Sequence, residues 1–266
     1  MTSEPIIRLA ARGDGVTASG RYVAHAAPGD LLDAAGTLTA GPHRVAPVCR
    51  HVPDCGGCQL QHVDDESLSG FITDRIASAL NAQGIAVPDL RVPHMSPAAA
   101  RRRVSLRAER RGKQIVLGFN AAKSHRVIDL AQCPVMHPEI EALIKPLRGV
   151  LGLCLADRRA ANIRMTLADQ GVDLLIAGVE VAGLEATEAL TQFAQTHGLA
   201  RLSLDEGYGP TARWEPEPVT VTLAGVAVAL PEGAFLQATA DGEAALQTAV
   251  RDALEIQRLG SAKDTQ

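Results

Sequence analysis

Three cysteines lie within ten residues of one another, in the stretch Cys49-Arg-His-Val-Pro-Asp-Cys55-Gly-Gly-Cys58. Pro53 and the Gly56-Gly57 pair interrupt both helix and strand, because proline lacks a backbone donor and paired glycines favour turns. The three thiols therefore belong to a loop. A fourth thiol stands far downstream, in Gln132-Cys133-Pro134. A close trio with one distant partner is a ligand pattern, and it would tie two segments of the chain together.

Three explanations fit this spacing. Four thiolates usually hold a [4Fe-4S] cluster, and a proline after the last cysteine is familiar there. Zinc also uses C-x2-C pairs, although structural zinc sites more often combine two such pairs, and His62 could replace Cys133 as the fourth zinc ligand. The third explanation is that the thiols are core residues, since free cysteine is often buried. The spacing favours iron and leaves zinc open.

Composition limits the class of protein. Apolar residues make up 46% and charged residues 21% of the 266 residues, as in ordinary globular proteins. The net charge of -4 argues against binding nucleic acid by bulk attraction, but a local basic patch remains compatible with RNA. No signal peptide and no apolar run of membrane-spanning length is present, so we expect a cytoplasmic protein without a membrane partner.

The segment Cys55-Gly-Gly-Cys-Gln-Leu-Gln-His62, preceded by Cys49, resembles the hallmark of the S-adenosylmethionine-dependent RNA uracil-5-methyltransferases. These enzymes methylate C5 of a uridine in ribosomal or transfer RNA. Four further segments resemble the same family in order: Arg101-Arg-Arg-Val-Ser-Leu, Leu117-Gly-Phe-Asn, Ser124-His-Arg-Val-Ile-Asp-Leu-Ala-Gln-Cys-Pro134 and Gly233-Ala-Phe-Leu-Gln237. The resemblance implies a [4Fe-4S] cluster held by Cys49, Cys55, Cys58 and Cys133. It also implies RNA as partner, with ribosomal RNA favoured and transfer RNA as the alternative, and no DNA.

The mixture of strands and helices without strict alternation predicts an α+β fold. Residues 1–45 alternate apolar runs with glycine turns, and the resemblance implies a shortened TRAM-like module, a small β-barrel related to OB-folds. Residues 46–232 are expected to form a mixed α/β iron–sulfur domain that binds RNA. Residues 233–266 are expected to be a linker helix, with the Rossmann-like methyltransferase domain of the family absent from the chain.

Several elements follow from local patterns. A helix is predicted to begin at Asp64 and to end at Gly84, with the apolar residues Leu68, Phe71, Ile72, Ile76 and Leu80 on an inward face. Other helices are predicted after Pro138, over 185–196 and over 242–254. Strands are predicted over 162–167, 172–176, 202–204, 219–223 and 226–230. Cys154, in an apolar run, is interpreted as a core thiol.

Six arginines fall within positions 101–111, a higher density than solubility requires, and they offer a surface for RNA phosphates. Among them we single out Arg101, Arg102, Arg103 and Arg107. The resemblance further implies that Gln237 contacts S-adenosylmethionine. The asparagine that the family carries two residues later is Thr239 here, which weakens that assignment.

Methylation of uracil C5 needs a thiolate that adds at C6 and a base that later removes the C5 proton. No cysteine follows Cys154, and no glycine-rich turn between a strand and a helix is available for the cofactor. We therefore expect no catalytic residue in this chain, and a truncated family member that is inactive by itself. The alternatives are a stand-alone iron–sulfur RNA-binding module, one half of a split methyltransferase with a separate catalytic chain, and a zinc-stabilised structural module.

Overall fold

A computed structural model describes residues 3–263, and their side chains as far as Glu255. The chain forms two compact units, Met1–Met95 and Ser96–Gln266. Residues 85–97, around this boundary, contain no helix or strand. The mixed α/β class predicted from the sequence is confirmed, whereas the division at residues 45 and 232 and the TRAM-like assignment stay predictions.

The first unit contains a five-stranded antiparallel sheet in the order β3-β2-β1-β4-β5. Its strands are β1 (Glu4–Leu9), β2 (Gly15–Thr17), β3 (Tyr22–Val23), β4 (Leu31–Leu32) and β5 (Leu38–Thr39). A small core of Leu9, Ala27 and Val63 lies beside it. Between Asp30 and Cys49 the chain forms two short strands, β4 and β5.

One helix follows in this unit, α1 (Asp65–Ala82), and it begins as predicted. The Asp64 carboxylate accepts a hydrogen bond from the Ser67 N–H at 2.9 Å, which caps the helix. The prediction that the apolar face of α1 packs inward overstates its burial. No residue of α1 is fully buried, and Ile76 is 46% exposed. Its apolar side chains are half-buried at best, since the small core of this unit reaches only as far as Phe71.

The second unit is built on a six-stranded sheet in the order β11-β10-β9-β8-β6-β7. Its strands are β6 (Arg103–Arg111), β7 (Gln114–Gly118), β8 (Ala160–Ala168), β9 (Gly171–Ala177), β10 (Arg201–Asp205) and β11 (Pro210–Trp214). Its helices are α2 (Pro138–Cys154), α3 (Leu184–Thr196) and α4 (Ala240–Lys263). A separate hairpin consists of β12 (Thr220–Leu223) and β13 (Val226–Ala229).

Strand alternation gives this sheet two different faces. Val104, Leu106, Ile163 and Met165 of β6 and β8 point to the face that shares the main core with buried residues of α2 and α3. β9 and β10 are parallel, and α3 forms the crossover that a parallel pair requires. The other pairs in this sheet are antiparallel.

The intervening residues of β6 and β8 point to the other face. Ser105 and Arg164 are cross-strand partners, as are Arg107 and Asn162, and these four side chains are exposed or half-buried. We call this surface the open face. It matters for function because it carries polar side chains on a rigid sheet.

α4 begins two residues earlier than the predicted 242–254 helix and ends later. Thr239 accounts for the early start: its hydroxyl oxygen accepts a hydrogen bond from the Gly242 N–H at 3.2 Å, as an N-cap residue does. No helix within the described residues is long and apolar enough to cross a membrane.

Candidate functional site

The cysteine loop is closed by its own backbone. The Val52 N–H donates to the Cys49 carbonyl at 3.2 Å, and the Cys55 N–H donates to the His51 carbonyl at 2.8 Å. The Val52–Pro53 peptide is cis. Cys49 and Cys55 are buried and Cys58 is half-buried. The sequence therefore folds into a compact turn that withdraws two thiols from water.

Polar groups surround these thiols. The Gly57 N–H donates to the Cys55 Sγ at 3.4 Å, and the Gln61 Oε1 accepts from the Cys49 N–H at 3.2 Å. The Gln61 Nε2 is buried and lacks a hydrogen-bond partner among the described residues. The buried His62 imidazole faces the ring of His25, and burial lowers its pKa against an opposing contribution from the Ala26 backbone. One N–H donor to a cysteine sulfur and one orphaned buried amide fit a loop built around a thiolate-bound group.

The remaining cysteines lie in the second unit. Cys133 is buried, and its N–H donates to the Glu141 carboxylate at 2.8 Å. Cys154 is the last residue of α2 and belongs to the main core, as predicted, and burial raises the pKa of its thiol. None of the five cysteines forms a disulfide. A raised pKa makes Cys154 a poor nucleophile.

Where the structure describes the chain, only one group of three side chains has its potential ligand atoms within 4.8 Å of one another, namely His43, Asp64 and Glu66. The four predicted ligand cysteines are not part of such a group. A single zinc ion bound at about 2.3 Å would hold its sulfurs closer than this, whereas each thiolate of a [4Fe-4S] cluster binds a different iron. The cysteine assignment therefore stays a prediction.

His43 was missed by the sequence analysis. Its Nδ1 lies 2.8 Å from the Asp64 Oδ2, while the other Asp64 oxygen caps α1. The hydrogen bond with Asp64 raises the pKa of His43, and the bonds from Ser67 and then His43 lower the pKa of Asp64. An ion pair at a helix cap accounts for this group without a metal.

The predicted RNA-binding arginines have different surroundings. Arg102 is 8% exposed, and its guanidinium pairs with Glu243 of α4. Arg103 lies over the ring of Phe235, with its Cζ 5.0 Å from the ring centroid. Arg107 donates to the Asn162 Oδ1 at 3.0 Å. Arg101 is half-buried and forms isolated bridges with Thr239 and Met136. Thus Arg103 and Arg107 share the open face, and Arg102 is committed to an internal ion pair.

The open face holds residues that sequence reasoning did not select. Arg164 and Asn162 of β8 line a pocket of about 240 Å³ together with Ser105, Arg107, Phe119 and Asn120. Their signal in the sequence was the alternation of polar and apolar residues in Asn162-Ile-Arg-Met165. That alternation predicts a strand, but it does not predict which strand pairs with it or which side chains become its neighbours.

Gln237 lies in the segment that precedes α4. Its side chain is half-buried, and its carbonyl accepts from the Arg102 Nε at 3.3 Å. Thr239, which replaces the family's asparagine, makes the N-cap of α4 and a 2.8 Å hydrogen bond with Ser96. The position where the resemblance is weakest thus has a structural role of its own.

Comparison with known proteins gives the following relatives. A protein of Zymomonas mobilis named an uncharacterized RNA methyltransferase is 49% identical over 249 residues, which cover 94% of this chain and 63% of that protein. A Brucella suis protein with the same kind of name is 35% identical over 267 residues, covering 96% of this chain and 62% of that protein.

The "23S rRNA (uracil(1939)-C(5))-methyltransferase RlmD" of Pectobacterium carotovorum is 30% identical over 203 residues, or 75% of this chain and 45% of that protein. No protein-family model matches the chain. The chain therefore spans less than two thirds of these relatives' length, and over nearly all of its own length it is a homologue of proteins named RNA methyltransferases.

Proposed function

We propose that this chain is the RNA-binding, iron–sulfur part of an S-adenosylmethionine-dependent RNA uracil-5-methyltransferase that acts on ribosomal rather than transfer RNA. The observation that carries this proposal is the 30% identity to a protein named a 23S rRNA uracil-5-methyltransferase, joined to the 49% identity to a named RNA methyltransferase. The motif around Cys55 supports it independently. In this proposal residues 1–45 are the TRAM-like module, 46–232 the cluster and RNA domain, and 233–266 a linker helix.

Cys49, Cys55, Cys58 and Cys133 would hold the [4Fe-4S] cluster. The closed loop, the two buried thiols in it and the N–H donor to the Cys55 sulfur support this assignment. A cluster in this place would contribute structure, because a methyl transfer moves no net electrons.

In the proposed reaction a thiolate adds to C6 of uracil, and the resulting electron-rich C5 takes the methyl group from the sulfonium. A base then removes the C5 proton, and the thiolate leaves C6, which restores the ring. Within these 266 residues Cys154 is the one cysteine outside the proposed ligand set, and it is buried with a raised pKa. We therefore assign to this chain the binding and positioning of RNA and place the transferring groups outside it.

Arg103 and Arg107 of the open face would contact RNA phosphates, together with Arg101, which lies just before β6. These side chains have no carboxylate within 4.0 Å among the described residues, so their charge is available to a ligand. Arg102 would act indirectly, by holding α4 near Gln237, the residue that we propose to contact S-adenosylmethionine.

The direct test is binding of this chain, purified without oxygen, to ribosomal and transfer RNA fragments at two salt concentrations. We expect tighter binding to the ribosomal fragment and an affinity that falls with salt. Equal and negligible binding to both RNAs would contradict the proposed function. Tight binding without any gain in methylation when a catalytic domain of a relative is added would favour the stand-alone module.

The cluster is tested separately by Cys55→Ser. We expect this variant to lose the brown colour, iron and acid-labile sulfide, and to melt at a lower temperature than the parent. Cys154→Ser is the matched control, since it should keep full iron content. If the parent protein contains zinc and no iron, the zinc-stabilised structural module is favoured over the cluster. Full iron content in Cys55→Ser would refute the assignment of Cys55 as a ligand.

A further inference from the structure

We propose that the open face binds a single-stranded segment of RNA, with one unstacked base in the pocket beside Phe119. This rests on the proposed function and deepens it, because the base is an additional one and not the uridine that is methylated. The residues that would recognise it are Asn120 and Asn162, and the phosphates on either side would contact Arg107 and Arg164.

The first step is the placement of positive charge. Arg103 and Arg107 lie four positions apart on the open face of β6, a separation of about 13 Å along the strand. Arg164 stands opposite Ser105, between them, on the adjacent strand. The three guanidinium groups therefore form a short row across β6 and β8. The acidic side chain on the same face of β6, Glu109, pairs with Arg111 at 2.7 Å and leaves the row positive.

The second step is the pocket inside this row. Its volume of about 240 Å³ is sufficient for one planar base. Ser105, Asn120 and Asn162 line it with groups that both donate and accept hydrogen bonds, and Phe119, which packs against the main core, closes one side. Hydrogen bonds from side chains to exposed base edges are how proteins read unstacked bases in RNA.

The third step is the state of the polar side chains. The Asn162 Oδ1 accepts from Arg107, which leaves the two amide N–H donors of Asn162 for a ligand. The Asn120 amide and the Ser105 hydroxyl form no hydrogen bond within the described residues. These side chains are carried by strands of the sheet or directly follow one, and their donors and acceptors are available to a base.

The test uses the full chain and fluorescently labelled homopolymers of uridine, adenosine and cytidine, together with a duplex of mixed sequence. We expect the parent protein to prefer one homopolymer over the others and over the duplex. The double variant Asn120→Ala/Asn162→Ala should weaken binding to the preferred homopolymer about tenfold and remove the preference. Arg164→Gln should weaken binding to all three alike and reduce the slope of log affinity against log salt by about 0.7.

Matched controls come from the helix-covered side of the same sheet. Gln192→Ala on α3 removes an exposed amide, and Arg213→Gln on β11 removes an exposed guanidinium paired with Glu206. Neither should change binding to any probe. A thermal melt of each variant separates loss of binding from loss of folding.

The outcomes distinguish this inference from the proposed function. Parent-like affinity and preference in both open-face variants would overturn the base pocket while leaving RNA binding intact. Equal preference for duplex and single strand in the parent would overturn it as well. A parent protein that binds none of these probes and no ribosomal fragment would overturn both proposals.

Discussion

Asp30 is the most enclosed charge in the first unit, with no exposed surface. Its carboxylate accepts hydrogen bonds from the Ala27 N–H at 2.7 Å, from the Gly41 N–H at 2.8 Å and from the Arg44 Nε at 3.1 Å. A side chain at Gly41 would collide with the backbone of Gly29, because an added Cβ would lie 2.2 Å from that carbonyl carbon. The glycine thus lets the two loops approach closely enough to share Asp30.

Asp30→Asn should therefore destabilise the first unit by about 3 kcal/mol, since it leaves the Arg44 guanidinium without its counter-charge. Urea unfolding followed by circular dichroism measures the loss. The near-neighbour Asp33→Asn, in an exposed turn, serves as the control and should change stability little. A loss as small as that of the control would mean that Arg44 finds another partner.

Burial alone would raise the pKa of Asp30, but the hydrogen bonds from Arg44, Gly41 and Ala27 outweigh burial and hold the pKa below its ordinary value of 3.8. The carboxylate therefore contributes its stability fully above pH 3.8 and loses it as the pH falls through the lower folded pKa. Asp30→Asn should therefore remove this part of the fall in the free energy of unfolding at acid pH. If the free energy of unfolding falls with acid to the same extent in the variant and the parent, Asp30 is not its source.

The pair of His43 and Asp64 should give a pH dependence of the opposite sign. The pKa of His43 is raised above 6.5, so its contribution is complete below pH 6.5 and disappears as the pH rises through the folded pKa. We expect the melting temperature at low salt to fall between pH ~5.5 and ~8.5 by more in the parent than in His43→Gln. Identical pH profiles would show that the hydrogen bond is already broken in solution.

At the scale of elements, α4 is held at its first turn. Thr239 caps it, and Glu243 in the next turn pairs with Arg102, whose own side chain lies beside the Gln237 carbonyl. This arrangement places the start of α4 against the beginning of β6. The helix that sequence reasoning treated as a linker is thus anchored to the sheet at that end.

Replacing Arg102 by Gln should weaken this anchor, at a cost of about 3 kcal/mol, because Glu243 would be left partly buried without its partner. Hydrogen exchange should then speed up in the first turns of α4 and at the Arg102 amide, which donates to the Ala238 carbonyl. The double variant Arg102→Met/Glu243→Leu should recover much of the stability. Uniformly faster exchange throughout the sheet would argue against a local role.

Local patterns were sufficient for most elements of the second unit. The strands over 162–167 and 172–176 and the start of α1 at Asp64 were predictable because their signals lie within a few residues. β11 was not predicted, since Gly207 and Gly209 precede it and its side chains lack alternation in burial. Its pairing with β10 is a property of the sheet and not of its own sequence.

Long-range partners explain the rest. The sequence predicts that Arg102 belongs to an exposed basic run. In the structure it pairs with Glu243, which lies 141 residues away in the sequence, and no spacing rule connects the two residues. The depth of α1 was misjudged for a similar reason: its apolar period is real, but a helix is buried only as far as a neighbouring surface covers it. The pocket of the open face depends on the register of β6 and β8, which the sequence leaves undetermined.

For the whole molecule, the segment 85–97 is the predicted weak point of the chain. It has no helix or strand, and Arg91 lies in its middle with an exposed side chain. Limited digestion with trypsin should therefore cut first after Arg91, giving the fragments 1–91 and 92–266. Arg91→Gln should abolish that cut, and mass spectrometry of the early products checks it. A first cut inside β6 would contradict the two compact units.

The alternation along β8 has a consequence for how such a protein can change over generations. Ile163 and Met165 are fully buried in the core, while Asn162 and Arg164 between them are exposed on the open face. Substitutions at the exposed positions leave the packing untouched, so they carry little risk of unfolding. A lineage could therefore adjust what this face recognises one residue at a time, while purifying selection on the neighbouring residues keeps the scaffold intact.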